Sequence, residues 1–304
     1  MLIVKYRAFF FALSGLLVAG ALIGLGIYGL KLGIDFTGGT LIEMSYATAP
    51  DKTALENDLS SLSLPEPLGA FSVRQSGNND FIIRTRNTTQ DERTSVIATL
   101  SSQGTGATVK SIASIGPTLG LELAKKSLVA IVLVIVAIVL YIAFAFRGVS
   151  RPVSSWGYGI IAVITLVHDV IIPVGAFAWL GHFIGVEADA LFVAAVLTVL
   201  GFSVHDTIVV FDRIRENLKL NQQHGGKEDF ELTVGKSVRQ TFTRSVNTSL
   251  TVIIVLLLLF FFGSATTEDF TLALLVGIIA GTYSSICLAS PLLVAWERLR
   301  RKKN

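Results

Sequence analysis

The sequence is short of cysteine and of charged residues. Cys287 is the only cysteine among 304 residues, so the chain cannot form an intrachain disulfide. Any part of it that faces an oxidising compartment must fold without one. Charged residues make up 15% of the chain, against roughly 25% in soluble domains, while 52% of the residues are hydrophobic. This composition excludes a disulfide-rich secreted scaffold and favours a membrane protein.

The sequence also lacks the patterns that catalytic and metal sites require. No set of His, Cys and carboxylate residues has the spacing of metal ligands, and neither a Gly-x-Ser-x-Gly motif nor a P-loop occurs. The formal net charge is only +3, and the basic residues lie in loops instead of forming a patch that binds nucleic acid. We therefore expect no enzymatic activity, no metal, no cofactor and no nucleic-acid partner.

Long apolar runs account for most of the chain. A helix of about 18 or more apolar residues can cross a ~30 Å hydrocarbon core. Six runs reach this length, at residues 8–30, 127–146, 155–179, 190–211, 245–263 and 270–296. The first follows Lys5 and Arg7, as in a signal peptide, but no small-x-small cleavage site ends it, so we interpret it as an uncleaved anchor. The runs predict an α-helical polytopic membrane protein with six transmembrane helices.

The connections between these runs alternate between basic and non-basic. Lys5 and Arg7 precede the first run, Arg147 and Arg151 separate the second from the third, and the 212–244 connection and the C-terminal tail are rich in Lys and Arg. The short loops 180–189 and 264–269 contain neither residue. Since cytoplasmic loops carry an excess of Lys and Arg, both termini and the loop 212–244 are predicted to be cytoplasmic.

The segment after the first run is long enough to fold as a domain. We divide the chain into 1–30, the N-terminus with helix 1; 31–125, an extracytoplasmic (periplasmic) domain; and 126–304, helices 2–6 with the basic tail. Within the domain we expect strands at 40–46, 68–75, 81–86 and 107–114, and helices at 51–62 and 89–101. Residues 77–80 are typical of a hairpin turn and 88–92 of a helix N-terminus. The order βαββαβ predicts a ferredoxin-like α+β fold between helices 1 and 2.

Five motifs resemble the SecD/SecF family, which belongs to the resistance-nodulation-division superfamily. They are GIDFTGG at 33–39, VHD at 167–169, GFSVHDTIVVFDRIREN at 201–217, RSVNTS at 244–249 and GTYSS at 281–285. The third is long enough to be specific, and together they cover nearly the whole chain. His205 is one departure, since the family commonly has Asn there. The modest external domain argues against SecD, which usually carries a much larger one.

The resemblance implies an accessory subunit of protein translocation in the bacterial inner (plasma) membrane. It implies use of the proton-motive force to help pull polypeptide out on the far side. The implied partners are SecD, the SecYEG channel and the translocating unfolded polypeptide, with YajC as a further candidate.

Asp206 and Arg244 are the strongest candidates for a proton relay. A charge within the hydrocarbon costs about 2.5–3.5 kcal/mol on insertion scales and usually faces a partner or water. Both residues lie near the predicted inner ends of their helices, so we expect them to pair. The arginine would favour the charged carboxylate and burial the neutral one, which suits a group that loads and releases a proton. A static ion pair, or an Arg244 that snorkels to lipid headgroups, is the alternative.

Asp169, His168 and His205 are further relay candidates. Pro173 leaves the backbone carbonyl of Asp169 without its usual donor, as in ion paths and helix hinges; a satisfied interhelical hydrogen bond is the alternative. Counted along the helices, Asp169 should lie roughly 12 Å above Asp206, so a relay would need water or helix tilt. Both histidines can titrate near neutral pH, although a structural hydrogen bond is the alternative for each. Because adjacent helical residues do not face one another, we expect His168 and Asp169 to point apart.

Two sets of glycines carry structural predictions. Gly33, Asp35, Gly38 and Gly39 lie at the outer membrane face, where they predict a rigid hinge to the external domain, with an ordinary turn as the alternative. The Gly-x-x-x-Gly pairs Gly20/Gly24 and Gly277/Gly281 predict close helix packing, either within the chain or against SecD.

Two functions besides an energy-transducing translocase subunit stay open. A proton-coupled half-transporter for small solutes or lipids would need a substrate cavity. A passive scaffold of the channel complex would leave Asp169, Asp206 and Arg244 without a role beyond packing.

Overall fold

The computed structural model describes residues 2–146, 153–226 and 228–301. The elements are α1 (Leu2–Lys5), α2 (Arg7–Tyr28), α3 (Ile34–Thr37), β1 (Gly39–Ser45), α4 (Lys52–Ser61), β2 (Ser72–Ser76), β3 (Asp80–Thr85), α5 (Gln90–Ser102), β4 (Thr108–Ile115), α6 (Pro117–Ala145), α7 (Ser155–Ile184), α8 (Ala190–Gln223), α9 (Phe230–Phe262), α10 (Ala265–Ser284) and α11 (Ser290–Arg301). A π-helical segment, Ser285–Ala289, joins α10 to α11. Arg147, Arg151 and the end of the basic tail, used above to predict orientation, lie outside the described residues.

Six helices in the described part of the chain are long and apolar enough to cross a membrane. They are α2, α6, α7, α8, α9 and the continuous run of α10, the π segment and α11, which we call the last span. Their most apolar 18-residue stretches have mean hydropathies between 1.9 and 3.3. The predicted six-helix polytopic membrane protein is therefore confirmed.

The last span, α7 and α8 form the inside of the bundle, and α6 lies at its edge with most side chains facing outward. Close packing depends on small residues: a Cβ added at Gly175 of α7 would lie 2.3 Å from the Cα of Ala21 in α2. Towards one end of the bundle the buried rings of Phe146, Tyr158 and Phe211 pack with centroids 5.2 to 5.9 Å apart. These contacts fix the positions of α7 and α8 relative to one another.

Between α2 and α6 the chain forms a four-stranded antiparallel sheet with the strand order β2-β3-β1-β4. Alternate residues of β1 and β3 point to one face, as the two-residue period of a strand requires. The helices α4 and α5 cover that face and close a core of Ile42, Met44, Leu55, Leu59, Phe81, Ile83, Val96 and Leu100. The edge strand β4 is more open, whereas Glu43 and Ile82 on the other face of the sheet are buried.

The elements of this domain follow the order predicted from the sequence. Helix α5 begins with a capping box, in which the Thr89 hydroxyl accepts from the Glu92 N–H and the Glu92 carboxylate accepts from the Thr89 N–H, as the 88–92 signature indicates. Hydrogen bonds from Arg86 and from the Thr89 backbone lower the pKa of Glu92 to about 2. The predicted start of the second strand at residue 68 is wrong: Gly69 turns the chain with φ 65°, and β2 begins at Ser72.

Helix α6 begins before its apolar run, which starts at residue 127. Pro117 occupies the first turn, where its missing N–H has no intrahelical partner to lose and its fixed φ suits the helix. The helix therefore leads directly out of β4, with only Gly116 between them.

Two arginines of the sheet attach this domain to the ends of membrane helices. Arg74 Nη1 lies 2.9 Å from both carboxylate oxygens of Asp269 in α10, and Arg84 pairs at 2.9 Å with Glu187, between α7 and α8. Lys31 Nζ lies 3.6 Å from the same glutamate. Burial raises the pKa of the Glu187 carboxyl in spite of these cations, so it takes up a proton more readily than a free glutamate. Largely buried charge pairs thus hold the sheet against the bundle.

Replacing the carboxylate in one of these pairs should loosen the domain. Asp269→Asn leaves the guanidinium of Arg74 facing a neutral side chain, and breaking one side of a buried pair costs about 3 kcal/mol. We expect the free energy of unfolding to fall by about that amount, measured by thermal unfolding of the purified chain in detergent.

Asp80→Asn is the matched control, because Asp80 pairs at 2.6 Å with Lys110 within the sheet, where the lysine side chain is 44% exposed. An exposed pair contributes less than about 1 kcal/mol. Equal destabilisation by the two substitutions would contradict the docking role of Arg74 and Asp269.

Candidate functional site

Asp169 is fully buried in the middle of α7 and is held by three side chains. Its Oδ1 lies 2.8 Å from His168 Nδ1. Its Oδ2 accepts hydrogen bonds from the hydroxyls of Ser284, at 2.7 Å, and Ser203. Three different helices therefore supply partners to one carboxyl group.

Asp206 is the second buried carboxyl group in the bundle, on α8, and it is 7% exposed. Its Oδ1 accepts from the hydroxyl of Ser245 of α9 at 2.6 Å, and its Oδ2 accepts from the hydroxyl of Ser285 in the last span. Both carboxyl groups thus receive donors from neutral hydroxyls. Hydroxyls can satisfy a carboxylate as donors and a protonated carboxyl group as acceptors, so the arrangement can hold either a negative charge or a proton.

The predicted ion pair between Asp206 and Arg244 is not formed. Ser245 faces α8 and occupies the carboxylate, while Arg244, one residue earlier and about 100° round the helix, is exposed on the outside of the bundle. Among the described residues no lysine or arginine makes an ion pair with Asp169 or Asp206. His205 is also exposed, although its neighbour Asp206 is buried.

The expectation that His168 and Asp169 point apart is wrong. Backbone directions at adjacent helical positions diverge, but here both side chains bend towards the bundle interior, and the imidazole reaches the carboxylate at 2.8 Å. Nε2 of His168 is buried without a hydrogen-bond partner among the described residues. The ring lies beside that of Tyr283, with centroids 6.2 Å apart.

The two carboxyl groups lie closer in depth than counting along the sequence indicates. Ser203 binds Asp169, and Asp206 follows Ser203 by three residues, which is about 4.5 Å along α8. The prediction of roughly 12 Å took Phe211 as the inner end of the helix. Helix α8 continues to Gln223, so the end of the apolar run does not mark the end of the helix. Helix α7 likewise runs unbroken through Pro173.

Four serines of this site, Ser203, Ser245, Ser284 and Ser285, were not among the residues selected from the sequence. All four are buried and lie within the motifs at 201–217, 244–249 and 281–285. The available signal was hydroxyl residues at the inward positions of apolar helices. No group of three or more His, Cys, Asp or Glu among the described residues could hold a metal ion.

The glycine motif at 33–39 is packed against the start of α8. The backbone N–H of Gly33 donates to the carbonyl of Ala188 at 2.8 Å, and Asp35 Oδ2 accepts from the N–H of Ala190 at 2.8 Å. Asp35 therefore adds a second carboxylate beside the N-cap residue Asp189 at the N-terminus of the helix that carries Asp206, where a negative charge is favourable. This role of Asp35 was not predicted from the sequence.

Gly38 and Gly39 adopt φ values of 74° and 138°, which glycine tolerates best. A Cβ at Gly38 would lie 2.8 Å from the Cα of Pro117, and one at Gly39 would lie 2.6 Å from the carbonyl oxygen of Thr85. The segment is thus a tight junction between the sheet and α6.

Three of the four glycines in the Gly-x-x-x-Gly pairs pack closely within the chain. A Cβ at Gly24 would meet Trp179 at 2.2 Å, one at Gly277 would meet Val199 at 2.3 Å, and one at Gly281 would meet Ser203 at 3.2 Å. Gly20 differs, because nothing lies within 4 Å of a Cβ there. Its backbone carbonyl accepts a hydrogen bond from Trp179 Nε1 at 2.9 Å. Gly20 therefore supplies a backbone acceptor, and the space beside its Cα is open.

Alanine substitutions should distinguish a glycine that packs closely against another helix from one that faces open space. Gly277→Ala places a methyl group against the stiff β-branched Val199, and such overpacking costs about 1–3 kcal/mol. We expect a lower Tm in detergent and lower abundance in the membrane.

Gly20→Ala supplies the control, since it adds the same methyl group to open space and improves helix propensity by up to about 1 kcal/mol. It should leave abundance unchanged or raise it. A Gly277→Ala variant as stable as Gly20→Ala would show that α8 and the last span are not packed as described.

Comparison with known proteins places this chain in a family of export proteins. Residues 95–299 match the family described as protein export membrane protein SecD/SecF, C-terminal, and residues 23–50 match the SecD/SecF GG motif. The chain belongs to the SecD/SecF family, so the resemblance found in its sequence is confirmed.

Within that family its relatives include SecF subunits and a longer SecDF protein. The chain is 46% identical over 306 residues to protein translocase subunit SecF of Thermobaculum terrenum, with 97% of this chain and 93% of the relative covered. It is 40% identical over 298 residues to SecF of Anaerolinea thermophila, with 96% and 92% covered. Protein translocase subunit SecDF of Bacillus subtilis is 32% identical over 298 residues that make up 98% of this chain and 38% of that relative.

Solved structures agree with these relatives. The crystal structure of SecDF from Thermus thermophilus, a translocon-associated membrane protein, matches 97% of this chain with a TM-score of 0.84 and 32% identity. The chain spans 38% of that SecDF chain. A structure of SecDF in the super-membrane-facing form matches 99% of this chain with a TM-score of 0.65 and 31% identity, over 39% of the longer chain.

Proposed function

We propose that this chain works with SecD as an accessory subunit of the Sec translocase and uses the proton-motive force to promote late-stage export of polypeptides through SecYEG. The SecF and SecDF names of its relatives support the translocase role. The observation that carries the proton coupling is a pair of buried carboxyl groups, Asp169 and Asp206, within the six-helix bundle. Burying an ionised group there costs free energy, and ionisable residues within membrane helices usually mark ion paths.

Asp206 is the proton carrier in this proposal, and Asp169 with His168 is a second relay site. Ser245 and Ser285 stabilise the ionised carboxylate of Asp206 without fixing its charge, as a permanent cation would. A group with neutral donors can lose and regain its proton at moderate cost. His168, whose Nε2 is free among the described residues, can accept a proton from water or pass one to Asp169.

An exposed polar face on α8 and α9 supports SecD as the neighbour within the membrane. Arg244, Asn247, Thr248 and Thr251 of α9 and Thr198, Gly201 and His205 of α8 are exposed. Arg244 has no ion-pair partner among the described residues. Polar residues on the outside of a bundle normally face another protein helix instead of lipid. In this proposal SecD covers the face and supplies a counter-charge for Arg244, and YajC is a further partner.

The sheet between α2 and α6 is proposed to be a ferredoxin-like extracytoplasmic domain that touches the translocating unfolded polypeptide. Its strand order β2-β3-β1-β4 supports the fold. The edge strand β4 is largely exposed and carries Val109 and Ile112, 38% and 44% exposed. An extended polypeptide can add to such an edge through main-chain hydrogen bonds. The proposed orientation in the inner membrane has both termini in the cytoplasm.

Reporter fusions test this orientation. A reporter placed after Asn79, in the hairpin between β2 and β3, should be active only outside the cytoplasm, and so should one after Gly185. A reporter after Gly225 should be active only in the cytoplasm, because the basic α8–α9 connection is retained there. A cytoplasmic signal at Asn79 would rule out the six-helix orientation.

Asp206→Asn tests the proton carrier. Asparagine keeps the shape of the side chain and can still bond to Ser245 and Ser285, so the protein should fold and reach normal abundance. Because the neutral amide cannot exchange a proton, gradient-stimulated secretion should fall to near its gradient-independent level. The measurement is secretion into membrane vesicles that contain the whole complex, with and without an imposed proton gradient.

Asp212→Asn provides the same substitution on the same helix at an exposed position, with a side chain 69% exposed, and should leave secretion unchanged. Full gradient-stimulated secretion by Asp206→Asn would reject the proton carrier and favour a passive scaffold.

A further inference from the structure

Two consecutive serines of the last span serve two different carboxyl groups. Ser284 donates to Asp169 Oδ2 at 2.7 Å, and Ser285 donates to Asp206 Oδ2. Both serines are completely buried. Consecutive helical residues point about 100° apart, so the one turn faces α7 on one side and α8 on the other. The last span thus contacts both carboxyl groups without carrying either of them.

Each of these hydroxyls has a second acceptor within its own helix. Ser284 Oγ lies 3.1 Å from the carbonyl oxygen of Gly281, and Ser285 Oγ lies 3.0 Å from that of Thr282. A hydroxyl has one proton and two lone pairs, so it can donate to only one of its two acceptors at a time. An ionised carboxylate accepts the one hydrogen bond that the serine hydroxyl can donate. A protonated carboxyl group instead donates to the serine oxygen, which frees the serine to donate to the carbonyl.

The helix changes its hydrogen-bond pattern at this position. The π-helical segment begins at Ser285, directly after Ser284. Single π turns inside α-helices are uncommon and frequently occur at functional sites. A change in which acceptor the serines use therefore acts on the turn where α-helical and π-helical bonding meet.

We propose that Ser284 and Ser285 are positioning residues that couple the protonation of Asp169 to that of Asp206 through the last span. Protonation of one carboxyl group turns its serine towards the helix carbonyl, which alters the turn that both serines share and the hydrogen bond offered to the other carboxyl group. This inference rests on the proposed proton-carrier function and adds the residues that connect its two sites.

The last span reaches both carboxyl groups through Ser284 and Ser285, whereas α8 carries Asp206 and reaches Asp169 through Ser203. Among the described residues, the titratable groups within four positions of these contacts along the chain are His168 on α7, Tyr283 and Cys287 on the last span, and the exposed His205 and Arg244 on α8 and α9. Of these, His168 alone bonds to a carboxyl group, and it bonds only to Asp169. Ser203 and Ser245 likewise each serve a single carboxyl group.

The test is to change the serine at one carboxyl group and measure protonation of the other. The full chain with its partner subunit is reconstituted in vesicles, and carboxyl protonation is followed against pH by infrared difference spectroscopy. The band that disappears in Asp206→Asn belongs to Asp206. We expect Ser284→Ala, which touches Asp169 only, to move the pH midpoint of the Asp206 band by about one unit, a tenfold change in proton affinity.

Two variants control for simple structural damage. Ser284→Thr retains the hydroxyl and should restore the original midpoint. Ser290→Ala removes an equally buried hydroxyl of the same span, one without a partner among the described residues, and should move nothing. If Ser284→Ala lowers the abundance of the protein, Ser284→Cys is used instead. The thiol fills the volume of the serine hydroxyl but is a weak hydrogen-bond donor, so this variant should also move the pH midpoint of the Asp206 band.

An unchanged Asp206 midpoint in Ser284→Ala or, where that variant is scarce, in Ser284→Cys, or a Ser284→Thr variant that behaves as Ser284→Ala does, would overturn the coupling. If Asp206→Asn abolishes gradient-driven secretion at the same time, the proposed function stands and only the coupling fails. Full gradient-driven secretion by Asp206→Asn would instead overturn the proposed function.

Discussion

The cost of placing a carboxyl group in an apolar helix bundle governs how this bundle packs. Asp169 is fully buried and Asp206 is 7% exposed, so neighbouring helices must supply most of their hydrogen-bond donors at short range. The donors come from α8, α9 and the last span, and their hydroxyls are short enough to require close helix contact. Gly277 and Gly281 make that contact possible beside α8. The small residues and the serines are thus parts of one arrangement.

The same helices connect the carboxyl groups to the sheet domain. Asp35 caps α8 and Glu187 lies just before it, while Asp269 receives Arg74 of the sheet near the start of the last span. The two helices that hold the domain are therefore α8, which carries Asp206, and the last span, which donates to Asp206 through Ser285. A change at the carboxyl groups that moves these helices also moves the support on which the sheet stands.

Sequence reasoning was most effective where the physical signal is local. Apolar run length predicted the six spans, and the cap at Thr89 and Glu92 and the hairpin turn located the elements of the sheet domain. It failed where the answer depends on how helices rotate against one another. Which of two adjacent residues, Arg244 or Ser245, faces α8 is decided by the packing of the whole bundle. The same limit explains why His168 was predicted to point away from Asp169.

Depth in the membrane was misjudged for a related reason. The length of an apolar run indicates how much of a helix is covered by lipid or protein, and not where the helix ends. Helix α8 extends well past its apolar run, to Gln223. The serines were overlooked because a hydroxyl in an apolar helix usually bonds to its own backbone, as Thr198 does. Only the three-dimensional arrangement distinguishes those hydroxyls from the four that reach a carboxyl group.

The unbroken length of α8 gives the molecule a mechanical property. Its 34 residues correspond to a rod of roughly 51 Å, longer than the ~40–45 Å of a bilayer with its headgroups. One tip is clamped by Asp35, and Asp206 lies near the midpoint. A rod of this kind resists bending and compression, so with one tip held, a tilt that starts at Asp206 moves the other tip, at Gln223. A change at Asp206 can thereby be transmitted to a distant end of the same helix.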